Sequence, residues 1–252
     1  MSIWMAAVVG LLSASGLLAG AMAGLWLQMH HRAVAAVTAV GVGLLLAAAS
    51  LYLISGALEA VSATMAASGA LGGAAMFSLI NLGLRRWGAE KRKRCGECVQ
   101  QPSEAESPGS GLAIAFGSLV DAVPEALIIG AASAGGIKTL PPTAVIAAAF
   151  AVANFAEGLS SAAGMRAAGR SRSYVLLLCA SLTLVSAAAA MIGFALFSGG
   201  NLERGWLEAF AAGGLIAMVV ETMVPEAVSG QPGFAGFLAM LGFSALMLAI
   251  AG

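Results

Sequence analysis

The 252-residue chain is 60% hydrophobic, 10% charged and formally neutral. Soluble domains carry roughly 25% charged residues, so a water-soluble fold is excluded, whereas a bilayer accepts so much apolar surface directly. Zero net charge gives no basis for a nucleic-acid partner.

A spanning helix needs about 20 mostly apolar residues, and eight such runs follow one another, approximately at 3–29, 33–55, 64–84, 111–134, 142–165, 173–197, 205–228 and 232–251. The predicted fold is therefore all-α, a polytopic bundle of about eight transmembrane helices forming one domain over 1–252. The first run has no basic residue before it and no clear cleavage site, so it reads as a helix and not as a removed leader. Gly16, Gly20 and Gly24, spaced by four, suit close helix packing. The break after it holds His30, His31 and Arg32; both histidines read as interfacial residues. The next break is weakest, with Glu59 its only charge.

Segment 85–110 is the only extended polar stretch, and it reads as a mobile cytoplasmic loop. It carries Cys95-Gly-Glu-Cys98, which supplies two of the four ligands zinc usually takes; Cys95 and Cys98 are secondary metal candidates. Cys179, inside an apolar run, reads as inert core, and three cysteines suggest no disulfide framework. Placing both termini outside puts Arg32, Arg85, Arg86, Lys91, Arg92, Lys93, Arg94, Arg166, Arg170 and Arg172 in cytoplasmic loops, leaving only Lys138 and Arg204 outside. That is the bias of the positive-inside rule.

Four acids lie deep in apolar runs: Asp121 and Glu125 in the fourth, Glu157 in the fifth and Glu221 in the seventh, with Asn154 beside Glu157. Ionisable groups at such depth are costly and usually face the bundle interior or a water-filled path. Asp121 and Glu125 are four apart and Asn154 and Glu157 three apart, so each pair shares a helix face. The fourth and fifth helices run antiparallel, which lets the pairs meet near mid-membrane. No Lys or Arg lies inside these runs, so the acids are expected to be protonated, to share protons or to bind a cation. Pro124 and Pro225 free the carbonyls of Val120 and Glu221, and polar groups released at that depth need a neighbour, water or an ion. The expectation is an oxygen-rich cation site flanked by two helix breaks. Glu226 lies near the cytoplasmic mouth as a further secondary candidate.

Three motifs carry a family resemblance. Asp121-Ala-Val-Pro-Glu-Ala126 resembles the fourth-helix His-Asn-x-Pro-Glu/Asp-Gly of ZIP metal transporters. Asn154-Phe-Ala-Glu-Gly158 resembles the end of their fifth-helix His-Glu-x-Pro-Glu-Gly, and Val220-Glu-Thr-Met-Val-Pro-Glu226 their seventh-helix His-Glu-x-x-Pro-Glu. Eight helices, outside termini and a long third loop match that layout. Aligned on the Pro-Glu step, Asp121, Ala153 and Val220 stand where the family has histidine, and Ala122 and Ala156 where it has Asn and Pro. Glu125, Glu157 and Glu221 keep the acids. The family often has a sixth-helix Glu-Pro; here that helix offers Ser181, Thr183 and Ser186.

The resemblance implies a divalent metal transporter, not an enzyme, with no prosthetic group and with Zn2+, Fe2+ or Mn2+ as transported substrate. Its metal ligands would be Asp121, Glu125, Asn154, Glu157 and Glu221. With every imidazole gone, the donor set favours harder ions than a histidine-rich one. The partners are the lipid bilayer and the ion, with room for a homodimer, and compact loops suggest a bacterial inner membrane. Two competing readings are a metal-site-degenerate relative acting as sensor or scaffold, and an intramembrane hydrolase using Asp121 and Glu157 as an acid dyad. No phosphate-binding Gly-rich loop ending in Lys-Ser/Thr is present, so direct ATP hydrolysis is not expected.

Overall fold

A computed structural model describes residues 2–27, 29–86, 110–136, 140–198, 204–230 and 233–251, and every element among them is a helix. Taken as spans, they are α1 (Ile3–Trp26), α2 (His31–Ala60), α3 (Ala63–Arg86), α4 (Ser110–Ala131, continued by a π turn over Ala132–Gly136), α5 (Leu140–Ala167), α6 (Arg172–Ser198), α7 (Arg204–Gly230) and α8 (Ala235–Ala251). Seven are long and apolar enough to cross a membrane, and α8, at 17 residues, is a shorter apolar helix. The chain is thus an integral membrane helix bundle. The second span runs further than its sequence pattern indicated, to Ala60, so Glu59 lies exposed in its last turn and not in a loop. The stretch carrying Cys95 and Cys98 lies outside the described residues.

Local chemistry sets the helix ends. Ser2 caps α1 by accepting from the Met5 amide at 3.3 Å, and Ser171 accepts from Tyr174 at 3.2 Å at the start of α6. Between α5 and α6 the chain turns through Gly169, whose φ of 80° suits glycine. The Arg170 amide donates to the Met165 carbonyl and the Gly169 amide to Arg166, both at 3.0 Å. This is the paired carbonyl capture of a Schellman ending. Inside the spans, hydroxyls turn back on their own helix: Thr38 donates to Val34 at 3.0 Å, Ser133 to Ile129 at 2.8 Å and Thr222 to Met218 at 2.6 Å. Such groups need internal partners where water is absent.

Arginines and aromatics mark the two ends. At one, Arg166 donates to the Leu25 carbonyl at 2.5 Å, Arg172 lies 5.9 Å over the Trp26 ring and Arg170 5.4 Å over Tyr174. At the other, Arg204 pairs with Glu208 at 2.9 Å, and Trp206 stacks on Phe210 and donates to Ser68. Amphipathic rings and basic side chains favour the headgroup level.

The helices sort into two groups. In the first, α1 lies along α5 and α6, and α6 along α4; in the second, α2 packs on α8 and the end of α7, and α3 on the start of α7. Among the described residues, every glycine whose added Cβ would fall within 3.0 Å of a neighbour makes that approach inside one group: Gly16 and Gly20 meet backbone of α5, Gly130 meets α6, Gly73 meets α7 and Gly43 meets α8. Between the groups Gly41 of α2 faces Ala153, Ala156 and Met223 at an ordinary 3.4 Å. Without a hydrophobic drive in lipid, close backbone packing is what binds helices together, so each group is knit more tightly than the seam.

Candidate membrane-interior carboxylate site

Asp121, Glu125, Asn154 and Glu157 are 1%, 3%, 5% and 6% exposed. These four side chains of the fourth and fifth spans therefore point into the bundle and away from lipid. Glu125 and Asn154 line one small cavity with Gly10 and Ser13 of α1, Ala122 of α4 and Ser186 of α6. Its volume, about 10 Å³, is close to the space one water occupies. The Asn154 amide donates to the Ser13 carbonyl over a long 3.5 Å. Next to the cavity's α1 wall, Thr183 donates to Ala14 at 3.2 Å as well as to Cys179 at 2.9 Å.

Helical rise places the other pair. Asp121 is one turn from Glu125, and Glu157 three residues from Asn154, each toward the end that holds Arg86 and Arg166. At 1.5 Å per residue these steps are about 6 and about 4.5 Å. The antiparallel helices thus carry two polar levels, Glu125 with Asn154 and Asp121 with Glu157. On the other side of the Glu125 level, a cavity of about 80 Å³ lies among Leu53, Ile128, Phe197 and Leu207, with Glu208 as its one charged lining residue. Glu208 was not singled out in the sequence.

Glu221 stands apart from this set. It is exposed, and its carboxylate accepts from Ser78 Oγ and from Asn81 Nδ2, the latter at 2.6 Å, both on α3. It does not line the Glu125–Asn154 cavity. Among the described residues, no three His, Cys, Asp or Glu side chains group as a metal holder. Sequence spacing did not indicate Asn81 or Ser78, although an Asn inside an apolar span was a usable signal.

The two prolines act differently. Helix α4 runs unbroken through Pro124, contrary to the break expected there. Before Pro225, α7 gives way to a π turn over Val219–Met223 that contains Glu221, and the Val224 amide donates back to Val219. Such turns are frequent at functional sites. The residues that stand where the resembled motifs have Asn, His and Pro are also placed: Ala122 lines the Glu125 cavity, while Ala153 and Ala156 are fully buried against Gly41 of α2.

His31 is buried at the start of α2 beside Gly230; His30 precedes the helix and makes no side-chain capping bond. Glu226 is fully buried near the end of α7. Cys179 is a buried free thiol, as its apolar run indicated. No protein-family model matches the chain, and no curated protein matches it.

Proposed function

We propose that this protein carries a divalent metal cation across the membrane, toward the cytoplasm, along a carboxylate path between α4 and α5. The observation that supports it most is the burial of Asp121, Glu125, Asn154 and Glu157 on two adjoining spans. Carboxylates are held in a membrane interior at large cost, and ion or proton pathways are where that cost is met. The resemblance of three motifs to those of ZIP transporters points the same way. On this reading both termini lie outside, in a bacterial inner membrane, and zinc, manganese and ferrous iron are the candidate cargoes. Glu221, held by α3, would act at a separate step from the α4–α5 pairs.

The test is uptake of each metal into proteoliposomes. Wild type should accumulate one of them, and Glu125→Gln or Glu157→Gln should bring uptake to background while the protein still elutes as folded. Uptake should also fall as the medium is acidified, because a protonated carboxyl no longer ligates metal; a flat acidic profile counts against the path.

One observation favours a second reading. The Glu125–Asn154 cavity has room for about one water, and no three-ligand group is assembled among the described residues. A non-transporting relative that senses metal or scaffolds a partner would have such a site. Metal binding without uptake would select it.

A further inference from the structure

The groove that α4 forms with α3 and α7 is a cavity that the metal reading leaves unused. We propose that it is a binding site for an anionic phospholipid, whose acyl chain fills the groove and whose headgroup lies on Arg85 and Arg86. The groove measures about 310 Å³, at the lower end of the roughly 300–1,000 Å³ that organic ligands occupy. Phe77 and Ile80 of α3, Val120 and Pro124 of α4, and Phe210 and Gly214 of α7 wall it, and among the described residues no charged, amide or hydroxyl side chain lines it. Ile80 is also 40% exposed on the bundle surface, so the groove opens sideways to the bilayer.

Those facts choose the occupant. Water needs two to four polar partners to stay in a cavity, and this lining provides none. An empty groove would forfeit dispersion contacts along its walls. The surrounding solvent is itself a supply of flexible methylene chains, so an acyl chain enters without any dehydration step.

Charge chooses the headgroup. Arg85 and Arg86 occupy the last turn of α3, and both are exposed. Five residues separate Ile80 from Arg85, about 7.5 Å along the axis. A chain leaving a headgroup at that level reaches the groove within its first half. Two arginines at a membrane surface, at about 1 kcal/mol each, favour an anionic lipid over a zwitterionic one by roughly thirtyfold.

The site also lies on the seam, since α4 belongs to one helix group and α3 and α7 to the other. Leu119, Val123 and Leu127 face the groove, while Ala122, Glu125 and Ala126 of the same helix face the polar cavity. The lipid would therefore rest against the back of the helix that carries Asp121 and Glu125.

The full-length protein, equilibrated with vesicles of equal phosphatidylglycerol and phosphatidylcholine, is taken into mild detergent and weighed by native mass spectrometry. One phosphatidylglycerol per chain should be retained, preferred roughly thirtyfold over phosphatidylcholine. Gly214→Leu should abolish retention, because Gly214 walls the groove and a Cβ there fits, its nearest neighbour being the Gly73 carbonyl oxygen at 3.6 Å. Arg85→Gln/Arg86→Gln, on an exposed helix end, should erase the headgroup preference with the interior untouched, and it decides the matter alone if Gly214→Leu does not fold. Equal retention of both lipids by wild type overturns the proposal, as does undiminished phosphatidylglycerol in Gly214→Leu. So do lipid-free dimers, which would mean that a second copy covers the groove.

Discussion

At the scale of single residues, the donor types were readable from the sequence and their directions only partly so. Asp121, Glu125, Asn154 and Glu157 lie on regular helix, and their spacing placed them on interior faces correctly. Glu221 was expected among them and instead is held by Ser78 and Asn81. The reason is local. A π turn holds an extra residue per turn, so facing counted at about 100° per residue fails within it. The link to α3 is open to measurement. In a double-mutant cycle of Asn81→Ala with Glu221→Gln, the coupling should be about 1 kcal/mol, within the ~0.6 average and ~1.7 maximum of interhelical hydrogen bonds in membranes. Reversible unfolding in mixed micelles reads it, and zero coupling would mean that the contact contributes nothing. The missing imidazoles make a second case. Ala153 is fully buried and packed against Gly41, so Ala153→His should overpack and destabilise by about 1–3 kcal/mol. Ala122 lines the small cavity beside Glu125, so Ala122→Asn should be the better tolerated change. Comparing the two melting temperatures tests this, and equal losses would refute it.

Whole helices were the most legible level, because a run of about 20 apolar residues has few alternatives to a span. The end of α2 is not legible in the sequence, because Glu59 reads as a loop charge, whereas a single acid at the headgroup level is compatible with helix. Pairing of helices was not legible, since glycines are spread over most spans and spacing alone does not say which backbone each one meets. Once the partners are known, they divide the glycines sharply. A Cβ on Gly20 would fall well inside 3.0 Å of the Phe155 carbonyl, a backbone atom that cannot swing aside; one on Gly83 meets nothing within 4 Å. Gly20→Ala should therefore separate α1 from α5 and cost about 1–3 kcal/mol or more. Gly83→Ala should be neutral or up to about 1 kcal/mol stabilising. Thermal unfolding followed by gel filtration distinguishes them, and similar behaviour of the two variants would show that the α1–α5 seam is not tight.

For the molecule as a whole, orientation follows from charge and not from packing. The helices alternate in direction, which puts Arg32, Arg85, Arg86, Arg166, Arg170 and Arg172 at one end of the bundle with the close of α1 and the start of α2. Arg204 falls at the other, where α1 starts and α8 finishes. Packing energies are indifferent to which end faces the cytoplasm; insertion is not, because basic loops stay on the side where they are made. Both chain ends should then lie outside together. Chemical labelling of single cysteines resolves this. In a Cys95→Ser/Cys98→Ser background the remaining native thiol, Cys179, is buried and should stay unlabelled. Ser2→Cys and Ala251→Cys should react with a membrane-impermeant maleimide on intact cells, whereas Arg170→Cys should react only after permeabilisation. Labelling of the two ends from opposite sides would remove one span from the count, and the span to lose is α8, the shortest helix. Labelling of both ends only after permeabilisation would reverse the orientation, and with it the direction in which the carboxylates of α4 and α5 would pass a cation.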